Sequence, residues 1–269
     1  MDARLEANRA NWNDRVAVHA NSQFYDVAGW LRDAPGPASR ELEALGNPAG
    51  LSLVHLQCHF GMDTLRWARV GATVTGVDFS PAAIDEATEL ASRAGLAEHA
   101  TFVCANLYDA PQALAGQRYD VVYVSLGSLC WLPEVTGWGD VVAQLTAPGG
   151  RVYVHDVHPF TASLDDEGER VHYSYFEEPD RPIVVDSDQT YTGDVGLAAT
   201  RTYEWNHSLS EIVTSLTRHG LVIDALDEHD WTVFAQFPWL EERSPGRFSI
   251  SEGHPRVPLS FTLLAHARP

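Results

Sequence analysis

The stretch Leu53-Val-His-Leu-Gln-Cys-His-Phe-Gly61, followed sixteen residues later by Val77-Asp78-Phe79-Ser80, limits what this chain can become more than any other feature. An apolar run enters a tight turn, a helix opens at Met62-Asp63-Thr64-Leu65, and a second apolar run ends on an acid. In an open α/β sheet that order builds a nucleotide-type site. The turn passes beneath the ligand, and the carboxylate of the next strand holds two ribose hydroxyls. A dinucleotide turn would carry Gly-x-Gly-x-x-Gly, and of those glycines only Gly61 is in place.

The rest of the chain alternates in the same sense. Strands are expected at 51–57, 73–77, 100–104, 120–125 and 151–155. Helices fall between them at about 62–70, from Ser80-Pro81 to near Gly95, and at about 134–146, where Pro148-Gly-Gly150 stops the last. Such spacing implies a mostly parallel sheet covered by helices on both faces, with every strand's carboxyl end on one rim. Before this core, helices are expected at 3–19, 22–33 and 38–46, the first from the spacing of Leu5, Trp12, Val16 and His19. After it, 159–205 mixes acidic turns (Asp165-Asp-Glu-Gly, Glu177-Glu-Pro-Asp, Asp194-Val-Gly) with β-like runs at 171–176, 183–185 and 200–205, which suggests inserted antiparallel hairpins. A helix at 208–218, capped by Ser208 or Ser210, and strands at 221–227 and 259–265 complete a seven-stranded, Rossmann-like α/β sheet. Residues 238–258 look like loop. The expected parts are an N-terminal helical cap (1–48), the core (49–158), a β-rich lid (159–206) and the C-terminal part of the core (207–269).

Composition excludes several partners. The formal net charge is −19, and there is no basic block, so phosphate backbones are repelled and nucleic acid is not expected. No apolar run approaches the roughly 18 residues of a membrane helix, and the N-terminus has no signal-peptide core, so a cytoplasmic protein is expected. Three cysteines, Cys58, Cys104 and Cys130, with no C-x-x-C or zinc spacing, suggest small buried thiols. Composition is silent on oligomeric state.

Five segments in order, 53–61, Asp78, Phe102-Val-Cys-Ala-Asn106, Tyr119-Asp-Val-Val-Tyr123 and Ala147-Pro-Gly-Gly150, resemble the successive motifs of class I S-adenosylmethionine (SAM)-dependent methyltransferases. The wording Leu-Gln-Cys-His-Phe-Gly, with Trp131-Leu-Pro and Glu204-Trp-Asn-His207, resembles one bacterial subgroup almost end to end. The resemblance implies SAM as cofactor, S-adenosylhomocysteine (SAH) as product and a small-molecule acceptor. It implies that Gln57, Cys58, His59 and Gly61 approach the methionine part, that Asp78 chelates the ribose, and that Phe79 packs beside the adenine. Asn106, where the family has Asp, would face the adenine amino group through its amide oxygen, followed by Leu107. Ser125 and Leu126 would meet the methionine end or the acceptor. His55 stands where an acid is usual.

For proton transfer the expected pool is His155, Asp156, His158 and His207, all at or near the rim. The His155-Asp-Val-His158 spacing puts the two rings on opposite faces of a continuing strand, with no carboxylate-rich partner motif, so no metal site is expected. Tyr25 and Trp131 are candidate walls of the acceptor site. Two other readings stay open: a SAM-consuming cyclisation that releases methylthioadenosine, and a SAM-binding module without turnover.

Overall fold

The computed structural model describes residues 2–193 and 196–269 of the chain; of the acidic turn expected at Asp194-Val-Gly, Asp194 and Val195 lie outside the described residues. Three helices come first: α1 (Ala3–Ala20), α2 (Val27–Asp33) and α3 (Ser39–Leu45). The alternating core follows, with β1 (Ser52–Leu56), α4 (Met62–Arg69), β2 (Thr73–Asp78), α5 (Pro81–Arg93), β3 (Ala100–Cys104), α6 (Ala110–Ala113), β4 (Tyr119–Val124), α7 (Val135–Leu145) and β5 (Thr146–Val157). Then come α8 (Pro159–Ala162), β6 (Ile183–Asp186), β7 (Arg201–Glu204), α9 (Leu209–Arg218), β8 (Leu221–His229), β9 (Trp231–Thr232), β10 (Leu240–Ser244), β11 (Arg247–Ile250) and β12 (Ser260–Ala267).

The main sheet has seven strands in the order β3-β2-β1-β4-β5-β12-β8. The first five run parallel, and β12 lies antiparallel to both its neighbours. Register places Asp78 opposite Cys104 and His55 between Gly76 and Tyr123. The residues after β1, β2 and β4 therefore share one rim.

Both faces of this sheet are buried, which explains its near-continuous apolar strands. Val54, Leu56, Val122, Val124, Val152 and Val154 pack on one face against Trp138 of α7 and Ile212 and Leu216 of α9. Leu53, Val121, Tyr123 and Tyr153 pack on the other against Trp67 of α4 and Leu45 of α3. Local chemistry sets the helix starts. The Ser80 hydroxyl accepts the Ala83 N–H at 3.1 Å with Pro81 at the first turn, and Ser208, not Ser210, closes a capping box with Glu211.

The cover over the rim departs further from expectation. Helix α2 starts only at Val27, because Asp26 holds a left-handed backbone (φ 36°) and caps it. The face α1 buries is largely polar: Asn8, Asn11, Arg15 and His19 accompany Leu5 and Val16. Asn8 pairs with both backbone groups of Tyr203, and Asp14 accepts the N–H groups of Ala198 and Ala199. These side chains dock α1 against β7, so apolar periodicity alone could not describe the helix. Strands β6 and β7 form one hairpin, but 171–176 is not a strand and makes only an isolated bridge from Val171 to Leu164. Residues 238–258, expected as loop, contain the hairpin β10–β11 around Pro245-Gly246, joined to β9. Phe237, Leu240 and Leu259 give it a small core of its own. Of the cysteines, Cys58 is buried, Cys130 half-buried and Cys104 exposed, which corrects the expectation of three buried thiols. Among the described residues no helix is long and apolar enough to cross a membrane.

Candidate active site

The turn after β1 is tight because three of its residues take left-handed backbone: Gln57 (φ 55°), His59 (φ 51°) and Gly61 (φ 80°). Two of these are not glycine, a costly conformation that neighbours must hold in place. The Cys58 N–H donates to the Val77 carbonyl at 3.0 Å, and the His59 N–H donates to Asp78 Oδ2 at 2.9 Å. Asp78 Oδ1 accepts the Ser80 N–H at 2.9 Å, so one carboxylate ties the turn to the start of α5. A carboxylate has about four acceptor sites, and two remain for a ligand. Burial pushes the Asp78 carboxyl up to about 6, although these N–H bonds pull the other way.

Gly61, which lines the cavity as the expected close approach requires, also has a packing reason to be glycine. A Cβ there would lie 2.7 Å from the Phe102 ring and 3.0 Å from Ala87. Its missing side chain lets β3 and α5 pack against the turn. His55, in place of the usual acid, is a strut. Its Nδ1 meets the Thr64 hydroxyl at 2.8 Å and its Nε2 the Ser125 hydroxyl at 2.9 Å, and burial lowers it to about 4, leaving a neutral ring.

A cavity of about 880 Å³ opens above this rim. Gln57, Cys58, His59, Gly61, Asp78, Phe79, Ser125 and Leu126 line it from the core side, with Trp131 from the loop after β4, and Tyr25 from the cover side. Behind it, Asp78, Phe79, Asn106 and Leu107 line a cleft of only about 30 Å³, which Leu5 of α1 shares. Asn106 caps the turn after it, its Oδ1 accepting the Tyr108 N–H at 3.0 Å, so the amide NH2 is its free end. Trp131 donates its indole N–H to the Gly127 carbonyl at 2.8 Å and meets the Trp12 ring at 5.2 Å. The Tyr25 and Tyr191 hydroxyls hydrogen-bond to each other across the cover.

Of the four groups expected to move protons, Asp156, His155 and His207 line the cavity, and three of the four are held by hydrogen bonds within the fold. Asp156 accepts four backbone N–H groups, from Gly127, Ser128, Leu129 and Val157, and so fixes the loop after β4. Both ring nitrogens of His207 face acceptors: Glu177 at 2.7 Å, and the carbonyls of Leu129 and Leu132 at 3.1 and 3.0 Å. His158 Nδ1 accepts the Phe160 N–H at 3.0 Å, its Nε2 lies 2.8 Å from Glu228, and the ring is not part of the cavity wall. His155 does line the cavity, but burial, with Arg40 and His229 nearby, lowers it to about 3. Among the described residues no group of three or more His, Cys, Asp or Glu side chains is placed to hold a metal ion.

Two charged residues not singled out by sequence face the same space. Arg15 is buried; its Nε donates to Asn11 Oδ1 at 2.6 Å, and its guanidinium lies 5.0 Å from the Trp12 ring and 5.5 Å from the Trp131 ring. Glu204, at the end of β7, lines the cavity and forms no hydrogen bond or ion pair among the described residues. Burial raises its carboxyl, and Arg15 partly offsets this. Only tertiary structure joins these two, 189 positions apart, and no spacing in the sequence signals it.

Residues 54–150 match the methyltransferase domain family. No curated protein sequence matches the chain. Among solved structures, the CcbJ methyltransferase from Streptomyces caelestis is 17% identical, with 92% of this chain and 99% of that one covered at a TM-score of 0.57. The DhpI–SAH complex is 18% identical, covering 100% and 99% at 0.56. An S-adenosylmethionine-dependent methyltransferase from Mesorhizobium loti is 18% identical, covering 84% and 95% at 0.53. The chain therefore has the fold of these methyltransferases, and its residues 54–150 match the methyltransferase domain model.

Proposed function

We propose that the protein transfers the SAM methyl group to a small-molecule acceptor bound beside the cofactor in the 880 Å³ cavity. The observation that carries this is the meeting of Asp78, Arg15 and Glu204 on one enclosed space, since a nucleoside joined to a zwitterionic amino acid needs all three. Asp78 has two free acceptor sites for the ribose hydroxyls. Arg15 suits the methionyl carboxylate, and Glu204 the methionyl ammonium. Asn106 and Phe79 fit the adenine, with the Asn106 NH2 donating to a ring nitrogen. The cleft there is narrow, so adenine binding requires α1, which carries Leu5, to move outward.

The cofactor supplies an already activated methyl carbon. The protein's part is alignment and exclusion of water. The loop 125–129, clamped by Asp156, sets the floor beside Ser125 and Leu126. Trp12, Tyr25, Trp131 and Tyr191 close the roof. In this reading His207 and His158 position loops, and His155 and Glu204 are the cavity groups left to take a proton from an acceptor hydroxyl or amine. We further divide the chain into cover (1–48), core (49–158), lid (159–206) and C-terminal core (207–269). Three free thiols suit a reducing compartment, and we place the protein in the cytoplasm.

Calorimetric titration separates the parts. SAH carries the amino-acid end, and methylthioadenosine lacks it. R15M and E204Q are expected to weaken SAH by about 1–3 kcal/mol each and leave methylthioadenosine unchanged. Equal losses for both ligands would place the zwitterion elsewhere, and no SAH binding to folded protein would end the cofactor reading.

A further inference from the structure

All 18 basic residues of this chain are arginine, set against 37 acids. Among the described residues nine of the arginines form ion pairs with Asp or Glu. Arg40, half-buried on α3 and lining the cavity, forms none among the described residues. Its neighbour Glu41 is committed elsewhere: one oxygen accepts the Tyr123 hydroxyl at 2.6 Å, and the other accepts the Ala38 N–H at 2.6 Å.

Apart from the adjacent Glu41, whose carboxyl feels the charge, what surrounds Arg40 is neutral or cationic. Its guanidinium lies 4.9 Å from the Trp231 ring, and that of Arg247 lies 4.7 Å from the same ring. Its terminal nitrogen is 3.5 Å from His155 Nδ1, too long for a firm bond. Its Nε is buried without a partner, as is the Tyr153 hydroxyl. His155 and His229 flank Trp231 at 5.4 and 4.9 Å; burial lowers both, Arg40 adding to it, while Asp227 and Asp230 partly offset it at His229. Arg40 is thus a guanidinium with no ion pair among the described residues, set against an aromatic wall inside a protein whose net charge is negative.

Its place in the sheet assigns it to the acceptor. Asp78 ends β2, whereas Arg40 stands over His155 on β5, three strand spacings away, roughly 14 Å. With the ribose at β2 and the amino-acid end over the β1 turn, the region above β5 lies beyond the cofactor. From this geometry we infer that the methyl acceptor is an organic anion, a small molecule whose carboxylate or phosphate group docks on Arg40 above β5. This rests on the proposed cofactor pose. A guanidinium offers paired N–H donors that match either oxyanion, and Trp231 holds it flat.

The test uses the full chain saturated with SAH, titrated with benzoate in one arm and inorganic phosphate in the other, and followed by calorimetry. Wild-type protein is expected to bind at least one of the two, and R40M to weaken that anion roughly tenfold or more while SAH affinity stays unchanged. Whichever arm responds names the acidic group. R40Q, which keeps a planar polar side chain, serves if R40M does not fold. Binding of neither anion by the wild type, or binding undiminished in the folded variant, overturns the inference. Loss of SAH binding by the wild type itself would instead overturn the cofactor reading.

Discussion

The core beneath the rim and the cover above it are held by different physics. In the core, alternate strand residues bury apolar side chains on both faces, and Trp138, Val122, Val152 and Leu145 have no exposed surface. That stabilisation is large, non-directional and tolerant of detail. In the cover, the buried face of α1 is built from amides and charges that bond to the backbone of the lid. Each such bond contributes about 1 kcal/mol and depends on geometry. The core is therefore the rigid partner, and the cover the part able to open.

Breaking the core should cost most. Trp138→Ala is expected to lower stability by about 3–5 kcal/mol in denaturant unfolding; a loss under 1 kcal/mol would deny the core its dominant role. Breaking the cover should cost less and stay local. Asn11→Ala removes the acceptor of Arg15 and a donor to the Ala199 carbonyl. About 1–2 kcal/mol is expected, with faster hydrogen exchange in α1 and β7 and unchanged exchange in β1 and β4. Exchange rising equally in the core would show the two regions to be one cooperative unit.

The smallest effect concerns the joint between them. Asp78 is raised to about 6 by burial, and in the proposed pose the ribose hydroxyls need its ionised form. SAH affinity should fall as pH drops below that value, approaching tenfold per unit. The sign for folding is opposite. Between the ordinary 3.8 and about 6 the native state holds this proton more firmly than the unfolded chain, so acidification stabilises the fold through this group. Weaker binding at pH 5 would thus not reflect unfolding. Asp78→Asn should flatten the dependence, and a slope that survives the substitution would implicate another group.

The same contrast explains what the sequence made legible. Strand β3 was expected at 100–104 and lies at Ala100–Cys104, and Asp78 was expected at the rim and lines the cavity, because apolar runs, caps and acids at strand ends are local signals. In the cover the signals are tertiary. Val171–Phe176 has the composition of a strand but pairs only through the single bridge from Val171 to Leu164. Pro245-Gly246 marked a hairpin turn that charged flanks, Glu241-Glu-Arg and Arg247, disguised as loop. Arg15, Arg40 and Glu204 matter for the acids and bases they do not meet, and that is invisible before the chain folds.

The Tyr25–Tyr191 contact joins residues 166 positions apart directly over the cavity. Because one phenol comes from the segment before α2 and the other from the lid, neither half of the cover can seal the chamber alone. Opening the cavity at this point then means parting two segments far apart in the chain, an intersegment handshake at its mouth.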